Sequence, residues 1–198
     1  MKSFYMGIVS LLFIGCTPIA PKIIEYHVNV KMNMMEFNET KCKDRSLKVG
    51  QSFSSNVLKS LDMSYGLGDY KRLVFSQALW ADSPNRAITM EITKYIRETK
   101  LFKNVQISKS RSRNGLLLET DIEDFMQYFS EDEKNSYANV RVSFTLIDSK
   151  TNKVISTKTF SQKEIVDENN AKGGVVALSK ALEKLLINSG IWLNEVCR

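Results

Sequence analysis

The strongest constraint on this chain is a pair of alternating stretches in its C-terminal half. Leu116, Leu118, Thr120 and Ile122 fall on one side of an extended backbone, and Glu119, Asp121 and Glu123 on the other. The pattern returns at Val140, Val142, Phe144 and Leu146, set against Arg141, Ser143 and Thr145. Successive side chains of a strand point to opposite faces, so this spacing predicts strands with one side in a core and the other in water. Ser149 to Lys153 turns the chain, and Val154 to Lys163 returns it as a hairpin partner. A sheet with one apolar face must be covered by something.

Two segments carry the complementary pattern. Asp82-Ser83-Pro84 offers a serine N-cap with proline at the first helical position, and Ile88, Ile92, Tyr95, Ile96 and Thr99 follow at helical spacing. That helix should end near Lys100. A second helix starts near Asn169-Asn170, with Val175, Leu178, Leu182, Leu185 and Leu186 as its apolar stripe. Gly173-Gly174 would let it start close to the sheet, and Gly190 would close its main body before a short tail to Cys197. Further strands are expected at Tyr26 to Val30, Ser52 to Ser64, Tyr70 to Leu79 and Val105 to Ile107, with a turn at Gly66-Leu67-Gly68 and a basic turn from Ser108 to Gly115. Met32 to Gln51 is polar and irregular and reads as a long loop whose anchor would be Cys42. The expected fold is α+β, a single mixed or antiparallel sheet with two amphipathic helices packed on one face.

The N-terminus sets the compartment. One lysine, Lys2, precedes an apolar run from Phe4 to Ile14 broken only by Gly7 and Ser10. That is the layout of a secretory signal, and it is shorter than the roughly 20 apolar residues a spanning helix needs. The run ends in Phe13-Ile14-Gly15-Cys16, which resembles a bacterial lipobox, although Phe13 stands where leucine is usual. The resemblance implies cleavage after Gly15 and a lipid anchor on the Cys16 thiol. An ordinary signal peptide with a chance cysteine is the other reading. The chain then divides into a signal at 1–15, a lipidated tether at 16–25 stiffened by Pro18 and Pro21, and one domain at 26–198. With Cys16 lipidated, Cys42 and Cys197 remain as an even pair in an oxidising compartment. A disulfide would tie the start of the domain to its last helix, and two free thiols are the alternative.

The formal net charge of +6 is modest, and export argues against nucleic acid as a partner. No catalytic set is visible. The single histidine, His27, reads as a surface or packed residue, and two cysteines with one histidine do not make a zinc site. Glu119, Asp121, Glu123 and Asp124 read as a solvated strand face before they read as catalytic carboxylates. Ser64 to Gly68 lacks the lysine of a phosphate-binding loop. Lys100, Lys103, Lys109, Arg111 and Arg113 form a basic group that would either meet anionic lipid or a partner, or protect a sheet edge. Tyr65, Leu67, Tyr70, Leu73, Phe75 and Trp80 would either line a lipid or partner groove or belong to a strand core. Trp80, next to the capped helix, is expected to be a packing anchor.

The order of features from Tyr70 to Trp192 resembles the auxiliary lipoproteins of ABC-type transporters. The residues that carry the likeness are Leu79-Trp80-Ala81-Asp82-Ser83-Pro84, Leu101-Phe102-Lys103-Asn104-Val105, Ile122-Glu123-Asp124-Phe125 within Leu118 to Gln127, and then the hairpin and last helix in family order. Residues 31–69 depart from the usual family start. What the resemblance implies is a non-enzymatic outer-membrane lipoprotein facing the periplasm, without a cofactor. It would assist an MCE (mammalian cell entry) domain protein and an ABC permease in moving phospholipid, possible self-association included. Thr17 after the lipid site agrees with outer-membrane sorting. A structural or assembly lipoprotein of a lipopolysaccharide exporter or cell-wall synthase is the alternative, since fold alone does not fix function.

Overall fold

The computed structural model describes residues 21–31, 37, 40–113 and 115–197. The signal, Cys16 and the start of the tether lie outside them. The elements run in the order β1 Ile24–Tyr26, β2 Ser46–Val49, β3 Phe53–Ser54, β4 Asp62–Leu67, β5 Lys71–Trp80, α1 Pro84–Glu98, β6 Asn104–Ile107, β7 Leu116–Phe129, β8 Ser136–Asp148, β9 Lys153–Ile165 and α2 Ala171–Val196. Among the described residues this is an α+β fold with one mixed sheet of nine strands and two helices.

The long strand β7 is the axis of the sheet. On one side it pairs antiparallel with β8 along its whole length, and β8 pairs with β9. Its other edge is shared end to end by three short parallel strands: β2 at Leu116 to Leu118, β3 at Asp121 and Ile122, and β4 at Gln127 to Phe129. Beyond β2 lies β6, and beyond β4 lie β5 and then β1. Val140, Val142, Phe144 and Leu146 of β8 are at most 1% exposed and face Leu182, Leu185 and Leu186 of α2 and Ile88 and Ile92 of α1 in one core. Trp192 closes that core, its ring 6.4 Å from Phe144 and 6.2 Å from Phe160. Burying such side chains is worth about 1.5–3 kcal/mol each, which makes this layer the main source of stability.

The ends of α2 show how sequence and packing divide the work. Asn170 caps its start, the side-chain oxygen accepting from the Gly173 N–H at 2.9 Å. Gly174 allows the close approach to the sheet, since a Cβ there would lie 2.0 Å from the Gln127 side-chain oxygen. Gly190 does not close the helix, which continues to Val196. It lies instead where the two helices meet, and a Cβ would come within 2.5 Å of the Tyr95 hydroxyl. The glycine marks a helix crossing, a signal that reads the same as a helix end in sequence.

Two strand expectations, one loop and one turn change. Only Ile24–Tyr26 pairs in the sheet, and His27 to Val30 does not. Val28 and Val30 are still buried, because this segment runs beside α2, the Asn29 N–H meeting the Ser179 hydroxyl at 3.2 Å. The expected loop from Met32 to Gln51 contains β2, whose two apolar residues are too few to stand out. The strand expected over Ser52 to Ser64 is broken into β3, a 3-10 turn at Asn56–Lys59 and β4. The chain must step along the β7 edge there, and Leu58 of the turn is buried. Gly66 and Leu67 complete β4, and the turn falls at Gly68 to Tyr70, with Gly68 at φ +58°.

Candidate functional site

The two cysteines are joined, with Sγ–Sγ 2.10 Å and Cα–Cα 5.4 Å. The bond fixes the segment before β2 to the end of α2, beside a 2.8 Å bond from the Lys41 N–H to the Cys197 carbonyl. Both residues are buried, so the link is a brace and not a reactive surface thiol pair.

The structure splits the aromatic group of the β4–β5 hairpin. Trp80 is 5% exposed, its ring 5.8 Å from Phe125, and its backbone N–H donates to the Leu61 carbonyl at 2.7 Å. It is a core residue. Tyr70 is 97% exposed at the tip of the turn and touches none of the other rings. Tyr65 and Phe75 come together, centroids 4.5 Å apart, and Phe129 of β7 joins them at 5.2 and 6.3 Å. Leu67 pairs in register with Phe129, and Leu73 with Tyr65, so both flank this cluster. Tyr65, Leu67 and Phe75 are half-buried, and Leu73 and Val74 are more than 40% exposed. Phe129 is not among the candidate residues of the sequence, because the alternation read there stops at Ile122 and Phe129 lies beyond the bulge. The alternation of Phe125, Gln127 and Phe129 was its signal.

That cluster sits at a bare sheet edge. β5 is paired with β4 on one side, while on the other β1 reaches only Ala78 to Trp80. Among the described residues, nothing pairs with the outer edge of Lys71 to Gln77. Unpaired strand edges accept another strand, and an apolar pocket alongside supplies specificity.

The acidic strand offers no comparable chemistry. A bulge between Ile122 and Asp124 lets both Glu123 and Asp124 point away from the helices and moves Phe125, Gln127 and Phe129 onto the inner side. Glu123 pairs with Arg141. The half-buried Asp124 accepts bonds from the Tyr128 hydroxyl at 2.9 Å and the Asn139 amide at 2.7 Å. Burial pushes its carboxyl above the usual range, against the pull of those bonds and of Arg72. Burial, followed by the nearby Asp124 charge, raises the Tyr128 hydroxyl strongly. The Asp124 oxygen is thus doubly bonded, while the buried side-chain oxygen of Asn139 is left without a hydrogen-bond partner among the described residues. His27 is exposed, and among the described residues no group of three or more His, Cys, Asp or Glu could hold a metal.

The basic group also divides. Lys100 and Lys103 share a cleft with Lys43 and Arg97, whereas Arg113 lines a different one with Arg45 and Asp148. Lys109 and Arg111 are exposed beside the latter turn. Among the described residues, no helix is long and apolar enough to cross a membrane.

Comparison with known proteins gives a consistent picture. The model of the family described as the ABC-type transport auxiliary lipoprotein component matches residues 36–187. The crystal structure of a Xanthomonas campestris protein superposes with a TM-score of 0.77 at 13% identity, covering 87% of this chain and 96% of that one. A second crystal structure, of an uncharacterized protein, gives a TM-score of 0.65 at 12% identity, covering 87% and 99%. At these identities the likeness establishes the fold. No curated protein sequence matches the chain.

Proposed function

The chain belongs to the family of ABC-type transport auxiliary lipoprotein components, and from that premise we propose that it is a non-enzymatic accessory of an ABC/MCE-type phospholipid transport system, anchored in the outer membrane through a lipid on Cys16 and facing the periplasm. The observation that carries the reading is the coincidence of a bare strand edge with an aromatic cluster. Lys71 to Gln77 exposes backbone donors and acceptors on its outer edge, directly beside Tyr65, Leu67 and Phe75. A partner strand laid there would gain main-chain hydrogen bonds and bury Leu73 in one step. The lipid tether makes a weak contact sufficient, because confinement to one surface raises the effective concentration to about the millimolar range.

Two measurements test this. Cys16→Ser should abolish labelling by palmitate and leave the precursor unprocessed, and continued labelling would remove the anchor from the account. The mature protein should co-purify with an MCE-domain protein, and deleting either gene should weaken the outer-membrane barrier equally, with no further defect in the double deletion. An additive defect without a recovered partner would instead favour a structural or assembly lipoprotein.

A further inference from the structure

The bare edge of β5 carries a pattern that selects what can pair with it. The Gly68 N–H donates to the Phe129 carbonyl at 3.0 Å. The two backbone groups of a strand residue point to the same side, and that side alternates along the chain. Gly66 and Gly68 therefore turn theirs toward β7, and Tyr65 and Leu67 turn theirs toward Leu73 and Lys71, their register partners in β5. The N–H and carbonyl groups of Arg72 and Val74 are left pointing outward.

The open stretch is short. At one end it stops at the turn of Gly68 to Tyr70. At the other, the register shifts between Asp62 and Ser64, so that Phe75 to Ala78 stand opposite Met63 alone. Such a bulge ends regular pairing, and β1 occupies the edge from Ala78 onward. Lys71 to Phe75 is the usable length.

Its side chains differ from those of a half-buried strand. Leu73 shares a face with the Tyr65, Phe75 and Phe129 rings, and Val74 lies on the opposite face, in register with Ser64. Leu73 is 41% and Val74 49% exposed, so apolar surface is open on both sides of the sheet at adjacent positions. Lys71 and Arg72 precede them, exposed and on opposite faces. Asp124 feels the Arg72 charge, and Asp69 belongs to the neighbouring turn, so these two cations are partly offset.

We propose that this edge binds an extended peptide segment of about five residues, two acidic ones set against Lys71 and Arg72 and three consecutive apolar ones set against Leu73, Val74 and Phe75. Strict alternation of polar and apolar residues, the pattern of an ordinary half-buried strand, would place a polar side chain against Leu73 or Val74. The main chain and the apolar positions supply the affinity, and the charged positions tune it. The inference rests on the reading of this edge as a docking site and specifies what a partner must present there.

The test uses the mature lipidated chain in non-ionic micelles and two fluorescent peptides. One has two acidic residues followed by valine, valine and isoleucine, and the other has the reverse order. One order should bind, as read by anisotropy, and it gives the direction of the docked strand. Binding should slow hydrogen exchange at the Arg72 and Val74 amides, and a fully N-methylated copy, which lacks backbone donors, should not bind. Lys71→Glu with Arg72→Glu should weaken binding about tenfold, and Leu73→Ser or Val74→Ser about threefold each. The charge-reversed variant should bind a peptide with lysines in place of the acids as the wild type binds the acidic one, which also shows that it is folded. Equal binding of the N-methylated copy, no rescue by the lysine peptide, or no binding of either order by the wild type would overturn the proposal. An MCE-domain protein crosslinked from this edge in cells, with no peptide bound, would remove the proposal and leave the transporter reading standing. Peptides bound as described, without such a partner, would support the proposal and remove that reading instead.

Discussion

Opening the Cys42–Cys197 bond should cost about as much stability as truncating a large side chain of the core. The bond closes a loop with a sequence separation of 155. In the chain-entropy picture a loop of that length removes about 17 cal/mol/K from the unfolded chain, or about 5 kcal/mol at 25 °C. Residual structure in the unfolded chain lowers this, so the expected loss is about 3–5 kcal/mol. For a domain of this size that corresponds to a fall of roughly 6–20 °C in melting temperature. The folded state should survive reduction, because the Lys41–Cys197 backbone bond and the packing of α2 do not depend on the sulfurs. The assay is urea unfolding with and without reductant, the thiol state being verified by alkylation and mass spectrometry, alongside the Cys42→Ala, Cys197→Ala double variant. Equal unfolding midpoints for the oxidised and fully reduced protein would refute the reasoning.

Trp80→Ala should cost about 3–5 kcal/mol, as for a buried aromatic, while capture of a partner by the remaining folded protein is retained. Unchanged melting with lost capture would move Trp80 into the binding surface. Asp124→Asn should raise the melting temperature at pH 7 and lose that advantage as pH falls. The folded carboxyl titrates above its ordinary value, so its contribution is full below that value and is lost as pH rises through the folded one, and asparagine keeps an acceptor for Tyr128 and Asn139 without the charge. Melting curves from pH 3.5 to 7 check the sign, and a variant that becomes relatively less stable with rising pH would contradict it.

The sequence made the C-terminal half of this fold legible because both of its patterns are long. The hairpin of β8 and β9 and the two amphipathic helices repeat their spacing often enough to override local noise. The short parallel strands were harder. Ser46-Leu47-Lys48-Val49 is a strand only because β7 offers it an edge and β6 follows on its other side, and neither fact is local. The bulge after Ile122 hid the last part of β7 in the same way. It reverses which residues face inward, so a strict alternation stops at the point where Phe125 and Phe129 begin to matter. The candidate site suffered from both effects. Tyr65 and Phe75 were visible in the hairpin, but Phe129, the ring that completes their cluster, comes from a strand far along the chain. A glycine that admits a neighbouring helix and one that ends a helix share a letter, so Gly190 looks like a helix end in the sequence.

The central claim is that the bare edge of β5 holds a transporter partner. The direct test is site-specific crosslinking in living cells, with a photoreactive amino acid replacing Leu73 on that edge or Ile155 on the β9 edge. Both positions are more than 40% exposed, so each can report contact. The account predicts an MCE-domain protein crosslinked from Leu73 and not from Ile155. The same protein captured only from Ile155, or from neither position, would contradict it.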